Sequence, residues 1–456
     1  MKKVLALVLA AMLLSVSFAA LAEAPEGYPA VVEGIDFGGA EVKILNYWRD
    51  EVRVENPTED QIARYAYEDW FNETYNVVAM ERQGGDWGTC AEEMINFTGT
   101  PDGSLRLYII EPGKVGSLVA NGIAAPISDK YVDLNAEKWN AAQKEFMTVN
   151  GKLYGLYAGN SEPRGCLFFN KRVLEEAGID WNTIYDLQAE GKWTWAAFEE
   201  MLAKITQDTD NDGVNDIWGL IGSGDDGYVL SVFANGGCFF DFDDEGKLYP
   251  AMGSEETLTA LAWFKDIQSK YWAPTPDGAN WDWYKDAWKQ GYCGFYAYQC
   301  YGGLANGANG NSASTELADM SDDWGLVAWP VPNEGDTYIT VVSDNITLIP
   351  ACYDEETIAK LTFIYDLWSN PTPGYDDEDS WIGNKYNYTD DRAVDETYAM
   401  LREPEHCRIN KVTYLGTQND VLGSSLLWSL AGSTPADLVE AGMPAWQALC
   451  DTFNNK

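Results

Sequence analysis

From Gly165 to Leu220 the chain reads GCLFFNKRVLEEAGIDWNTIYDLQAEGKWTWAAFEEMLAKITQDTDNDGVNDIWGL, a strand, a helix, a loop, a second helix and an acidic loop. Cys166 to Phe169 is a short apolar run bounded by Gly165 and Asn170, which suits a buried strand of a parallel sheet. Lys171 to Ala177 predicts a helix stopped by Gly178, whose missing Cβ allows a left-handed end. The second helix starts after Thr194, whose hydroxyl can accept an orphan N–H of the first turn. Phe198, Met201, Leu202 and Ile205 then recur at i, i+3, i+4 and i+7 as one apolar stripe. This is α/β material.

The same alternation runs through the N-terminal part. Val42 to Trp48 predicts a first strand ending in Tyr47-Trp48-Arg49, followed by a helix over Glu59–Phe71 and strands over Asn76–Met80 and Leu105–Ile110, with a helix over Cys90–Phe97 between them. Strands alternating with helices imply a parallel sheet, and open α/β sheets bind ligands at the carboxyl ends of their strands. Asn150-Gly151 is a hairpin signal. Further on, helices are predicted over Ser254–Ser269 and Asp354–Trp368, and strands over Trp324–Pro332 and Tyr338–Pro350. The C-terminal remainder reads as helical, with Thr434-Pro435 as a cap and first-turn proline.

Phe169-Asn170-Lys171, Glu176-Ala177-Gly178, Thr194-Trp195 with Phe198, and the Asp-rich loop ending Trp218-Gly219-Leu220 together resemble the family-1 extracellular solute-binding proteins of ABC importers, the group that includes maltose-binding protein. Leu105 to Asp129 resembles the family's strand-turn-helix, although Leu105-Arg106 stands where relatives carry Pro-Asp, and Ala197 stands where they often have an acid. The resemblance implies a type II periplasmic-binding-protein fold, two lobes with a cleft between them, each lobe a mainly parallel sheet flanked by helices. It implies a first lobe from residues 41–158 and 342–370 and a second from 159–341 and 371–456. Crossings between lobes are expected near Ala158–Ser161, within Tyr338–Pro350, and at the Pro- and Asp-rich run Asn370–Asp379.

Lys2 and Lys3, an apolar run from Val4 to Leu14 and the small-x-small end Ala20-Leu21-Ala22 read as a secretory signal over residues 1–22. No cysteine follows that run, so a periplasmic or extracellular protein without a lipid anchor is expected. The 72 acidic against 30 basic side chains give a net charge of -42. Such a field repels phosphate backbones and anionic lipid, which argues against nucleic-acid or membrane-surface partners. Eight cysteines contain no CxxC pair and there is one histidine, so a zinc site is not expected. The pairing of the cysteines does not follow from sequence; Cys293 with Cys300 is the nearest candidate bridge.

Aromatic residues make up 13% of the chain, more than its cores should need. Sugar rings present an apolar face and a fringe of hydroxyls, which aromatic planes, carboxylates, amides and arginine hold together. Candidate ligand-binding residues at strand ends and glycine loops are Trp48, Arg49, Asp86, Trp87, Glu111, Arg164, Asn235, Trp281, Trp283, Tyr298, Tyr301, Asp344 and Asn345. By resemblance, Tyr301 stands where maltose-binding protein has a stacking tryptophan, and Glu111 near a loop whose polar groups meet the sugar. Asp208, Asp210, Asp212 and Asp216, with Gly213 at the bend, match most of a calcium loop, but Gly219 replaces its bidentate acid. A structural calcium is therefore an expectation, and no other cofactor is required. The expected function is hinge closure on an oligosaccharide delivered to the membrane permease of an ABC importer, by a monomer that is not an enzyme. Two alternatives stay open: the same fold with a polyamine or other cation as ligand, and a secreted glycoside hydrolase, for which no carboxylate pair is singled out.

Overall fold

The computed structural model describes residues 24–303, 320–375 and 390–455. The leader, most of the loop over 302–310 and the end of the 370–379 connection lie outside the described residues. In chain order the strands are β1 (Ala40–Asn46), β2 (Val77–Gln83), β3 (Leu105–Ile110), β4 (Thr148–Val149), β5 (Lys152–Leu153), β6 (Gly165–Asn170), β7 (Trp218–Gly222), β8 (Phe240–Phe242), β9 (Leu248–Pro250), β10 (Cys293–Gln299), β11 (Trp324–Val327), β12 (Thr340–Val342), β13 (Ile346–Leu348) and β14 (Cys407–Ile409). The helices of eight residues or more are α1 (Glu59–Thr74), α2 (Cys90–Gly99), α3 (Pro112–Ala120), α4 (Asn182–Ala189), α5 (Trp195–Ile205), α6 (Gly224–Ala234), α7 (Glu255–Tyr271), α8 (Glu355–Trp368) and α9 (Pro435–Asn454).

Two four-stranded sheets, ordered β13-β3-β1-β2 and β11-β6-β10-β7, form the two lobes. In the first, β1 runs parallel to β2 and β3, and β13 is reversed at the edge. In the second, β10 runs parallel to β7, and β6 lies reversed between β10 and β11. Each sheet thus has three strands in one direction and one against them. Successive side chains of a strand face opposite ways, and the first lobe uses both faces. Val42, Ile44, Leu107 and Ile109 meet α1 and α8 on one side, while Leu45, Tyr108 and Ile110 meet α2 and α3 on the other. In the second lobe all six residues of β6 are buried, and the core takes in much of the aromatic excess, with Trp193, Trp288, Trp329 and Trp446 fully enclosed.

The helix starts follow the local chemistry. Thr194 Oγ1 accepts the Ala197 N–H at 3.3 Å, and Phe198, Met201, Leu202 and Ile205 of α5 are all buried. The β4–β5 turn has φ of 50° at Asn150 and 73° at Gly151, as a tight hairpin requires. No helix among the described residues is long and apolar enough to cross a membrane.

Four expectations differ from the structure. The first strand ends at Asn46 rather than Trp48, because Asn46 Oδ1 accepts the N–H groups of Trp48 and Arg49, both at 2.8 Å, and turns the chain off the sheet. Helix α4 fills what reads as a loop; its Ile184, Tyr185 and Gln188 are drawn into the core. The C-terminal part is not all helical, since β14 adds in parallel to β12. Cys293 opens β10 and Cys300 follows its last residue, roughly 20 Å away at the rise of a strand, so they cannot bridge. None of the eight cysteines is in a disulfide.

Candidate functional site

The carboxyl ends of β1, β3, β7 and β10 and the segments that cross between the lobes converge on one cleft. The crossing chains lie side by side and antiparallel, bridged at Leu156–Thr347 and Pro163–Val342. Between them Asp344, 2% exposed, accepts the Glu162 N–H at 3.1 Å and Gln143 Nε2 at 2.9 Å. Burial pushes its carboxyl up, opposed by hydrogen bonds from the Ser161 side chain and the Glu162 N–H and by Arg164. Arg164 Nη2 donates to the Ser343 carbonyl at 3.3 Å, and its guanidinium stands 5.6 Å from the centre of the Tyr301 ring. Burial alone would weaken that cation, but Glu162 and Asp344 beside it hold it charged. Its Nε is buried with no hydrogen-bond partner.

A cavity of about 360 Å³ opens here, lined by Trp48, Glu162, Arg164, Asp344, Asn345 and Trp368, among others. Trp48 is 45% exposed and meets Tyr47 edge-on at 4.8 Å, while Tyr47 Oη donates to Asn345 Oδ1 at 2.8 Å. An accessible indole can take one face of an apolar ring while the polar groups lining the same cavity bond its hydroxyls. A second cavity of about 390 Å³, lined by Gly236, Cys238, Tyr249 and Met443, touches the second lobe alone.

From the second lobe, α6 presents Asp225 and Asp226 in its first turn, where Ser223 Oγ caps the Asp226 N–H at 3.4 Å. Trp428 Nε1 donates to Asp225 Oδ2 at 2.8 Å, and Trp428 is itself 56% exposed. Burial pushes the Asp226 carboxyl up to about 6, with Asp225 adding to it and Ser223, Gln299 and Arg164 opposing. Between the unfolded value near 3.8 and about 6 the native chain therefore binds the extra proton, so stability falls as pH rises through that window. Asp226→Asn is expected to raise stability at pH 7.5 by about 2–3 kcal/mol and to flatten that dependence, read from urea midpoints at several pH values.

Several residues nominated from sequence meet here: Trp48, Arg164, Asp344 and Asn345 line the cavity, and Tyr301 stacks near Arg164. Tyr298 is buried, stacked on Tyr296 at 5.1 Å, with its hydroxyl 2.8 Å from that of Tyr301. Glu111, at the end of β3, has a buried Oε2 with no partner. Arg49 is held away by a two-pronged pair with buried Glu81, at 3.1 and 2.9 Å, and shapes the turn that carries Trp48. Asp86 caps the turn at Thr89, and exposed Trp87 carries the Lys114 ammonium 4.2 Å over its ring. Asn235 ties the far end of α6 to the Glu256 carbonyl at 2.7 Å, about 15 Å from Asp225 at the rise of a helix, so it is not brought to the cleft. Trp281 is 79% exposed near Lys285, and Trp283 packs on the second core. Tyr47, Glu162, Asp225, Asp226 and Trp428 were not nominated; Ser223-Gly224-Asp225-Asp226 after a strand was the available cue, a capping residue with acids in the first turn.

In the acidic loop the carboxylates of Asp208, Asp210 and Asp216 approach within 4.8 Å of one another and are the groups that could hold a cation. Asp212 is outside that set. Its Oδ1 accepts the Val214 N–H at 2.8 Å, and Asp208 already accepts the N–H groups of Asn211 and Gly213.

The family model described as bacterial extracellular solute-binding protein matches residues 66–372. No curated protein matches the chain. Among solved structures, the cyclic α-maltosyl-1,6-maltose binding protein of Arthrobacter globiformis is 16% identical with a TM-score of 0.61, over 91% of this chain and 100% of that one. The Listeria monocytogenes ABC substrate-binding protein in complex with cycloalternan is 15% identical with a TM-score of 0.56, over 91% and 98%. UgpB of Mycobacterium tuberculosis, in complex with glycerophosphocholine, is 14% identical with a TM-score of 0.61, over 91% and 99%. One fold thus serves chemically different ligands, and the ligand has to be read from the cleft.

Proposed function

Because the chain belongs to the bacterial extracellular solute-binding proteins, a family of binding proteins rather than enzymes, we propose that it is exported behind its N-terminal leader, acts as a monomer, and closes its two lobes on a carbohydrate that it hands to an ABC-importer permease. The observation that carries this reading is the cavity where the lobes join, lined by the accessible ring of Trp48, by buried Asp344 and by half-buried Arg164 and Asn345. Stacking supplies area, and the polar groups supply orientation. One similar structure is of a cyclic α-maltosyl-1,6-maltose binding protein and another holds cycloalternan, so the fold can accommodate an oligosaccharide. Contacts made to both lobes would favour the closed arrangement in proportion to the ligand's preference for it.

A second reading has a specific observation behind it. Glu111, Glu162, Asp225 and Asp226 lie around the cleft, where Arg164 is set among acidic groups. A polyamine would meet that charge.

Tryptophan fluorescence and melting temperature, followed against mono- and oligosaccharides and spermidine, separate the two. A saccharide that shifts both supports the carbohydrate reading; a response to spermidine alone favours the cation, and steady release of reducing ends from a polysaccharide would overturn both. With the responding saccharide, Trp48→Ala is expected to cost about 2 kcal/mol, roughly 30-fold in Kd by titration, while leaving the melting temperature of the unliganded protein nearly unchanged.

A further inference from the structure

We propose that a backbone contact between α3 of the first lobe and residues 414–417 of the second sets the closed position of the lobes, and that Gly113 and Gly116 are required for it. The proposal rests on the reading that the lobes move. A Cβ on Gly113 would stand 2.8 Å from Thr417 Cα and 2.9 Å from both the Gly416 oxygen and the Thr417 nitrogen. On Gly116 it would stand 3.2 Å from the Tyr414 oxygen. The two glycines are three apart and so share one helical face. Gly116 lies inside the helix, where glycine is unfavourable, so its presence answers to something outside the helix.

The opposing surface is backbone, which cannot rotate aside as a long side chain does, and it is held from behind. Val412, Val421 and Leu422 sit in the core of the second lobe. Thr417 Oγ1 donates to Asp420 Oδ2 at 2.7 Å and accepts the Asp420 N–H at 3.2 Å, while Trp446 Nε1 donates to the Val421 carbonyl at 3.0 Å. Beside the glycines, the Tyr414 ring reaches both lobes, 4.7 Å from Phe146 of the first and 5.1 and 5.6 Å from Phe242 and Phe453 of the second. Residues 414–417 therefore form a stop, rigid on the side of the second lobe, against which α3 comes to rest. Glu111, the residue before α3, has a buried Oε2 with no partner; a hydroxyl brought by a ligand would donate to it beside this contact.

Small-angle X-ray scattering of the full chain, alone and with the saccharide panel, tests this directly. Gly113→Ala is expected to reduce the closed population about tenfold or more, as overpacking a tight contact does, without lowering the melting temperature. Gly116→Ala is expected to shift the population the same way by less. Gly99→Ala, at the end of α2 with nothing within 4 Å, is expected to shift nothing. A Gly113→Ala protein as compact as the wild type in every condition, or an equal expansion in Gly99→Ala, overturns the proposal. Expansion in Gly113→Ala while the wild type binds no saccharide leaves the stop standing and removes the carbohydrate reading.

Discussion

Arg164→Ala is expected to destabilise the protein by about 3–5 kcal/mol and to abolish ligand binding. The side chain sits where the lobes join, between Glu162 and Asp344, and Asp344 is 2% exposed. Removing the cation leaves a buried carboxylate supported by the Ser161 hydroxyl, the Glu162 N–H and the Gln143 amide. A charge stranded in low dielectric costs far more than its attraction to a neighbouring charge contributes while both are present, which sets the size of the effect. Arg164→Lys keeps the charge but loses the planar fork that reaches the Ser343 carbonyl and stacks toward Tyr301. It is expected to recover most of the stability and little of the binding, measured by urea unfolding and titration side by side. Equal recovery of both would show that charge alone matters at this position.

Gly222→Ala is expected to be comparably severe, at about 3–5 kcal/mol, for a reason that involves no charge. Gly222 closes β7 with φ of 141°, and a Cβ there would lie 2.0 Å from the Ala297 oxygen on β10. Strain and collision add, and the strand can escape only by leaving its neighbour. Because Ser223 and the acids of α6 follow at once, the displacement would carry Asp225 and Asp226 out of the cleft. Gly246→Ala separates the two causes: its φ is 75° but nothing lies within 4 Å, so it is expected to cost about 1 kcal/mol in the same unfolding experiment.

What the sequence revealed was local. Leu105–Ile110 matches β3 residue for residue, and the Thr194 and Thr434 caps accept the N–H groups expected of them. Periodicity and capping act within a few residues, so they survive being read without the fold. Arg49 looked like a ligand group because its partner Glu81 is 32 residues away. Asn235 looked like a cleft residue because a glycine loop follows it, while the helix between it and Asp225 sets the distance. Trp428 was passed over because its meaning comes from Asp225, 203 residues earlier. Long-range pairing decides which polar group is support and which is free to meet a ligand.

The two lobes are joined to the crossing chains unequally. In each sheet the reversed strand is the one that leaves the crossing, β6 in the second lobe and β13 in the first. Strand β6 is bonded along both flanks, to β10 and β11. Strand β13 is an edge, bonded along one flank to β3 and on the other by the bridge from Thr347 to Leu156. Torque at the junction is therefore spread through the middle of one sheet but loads the rim of the other. In the proposed closure the second lobe is then the fixed mount, and the first the arm that swings from it.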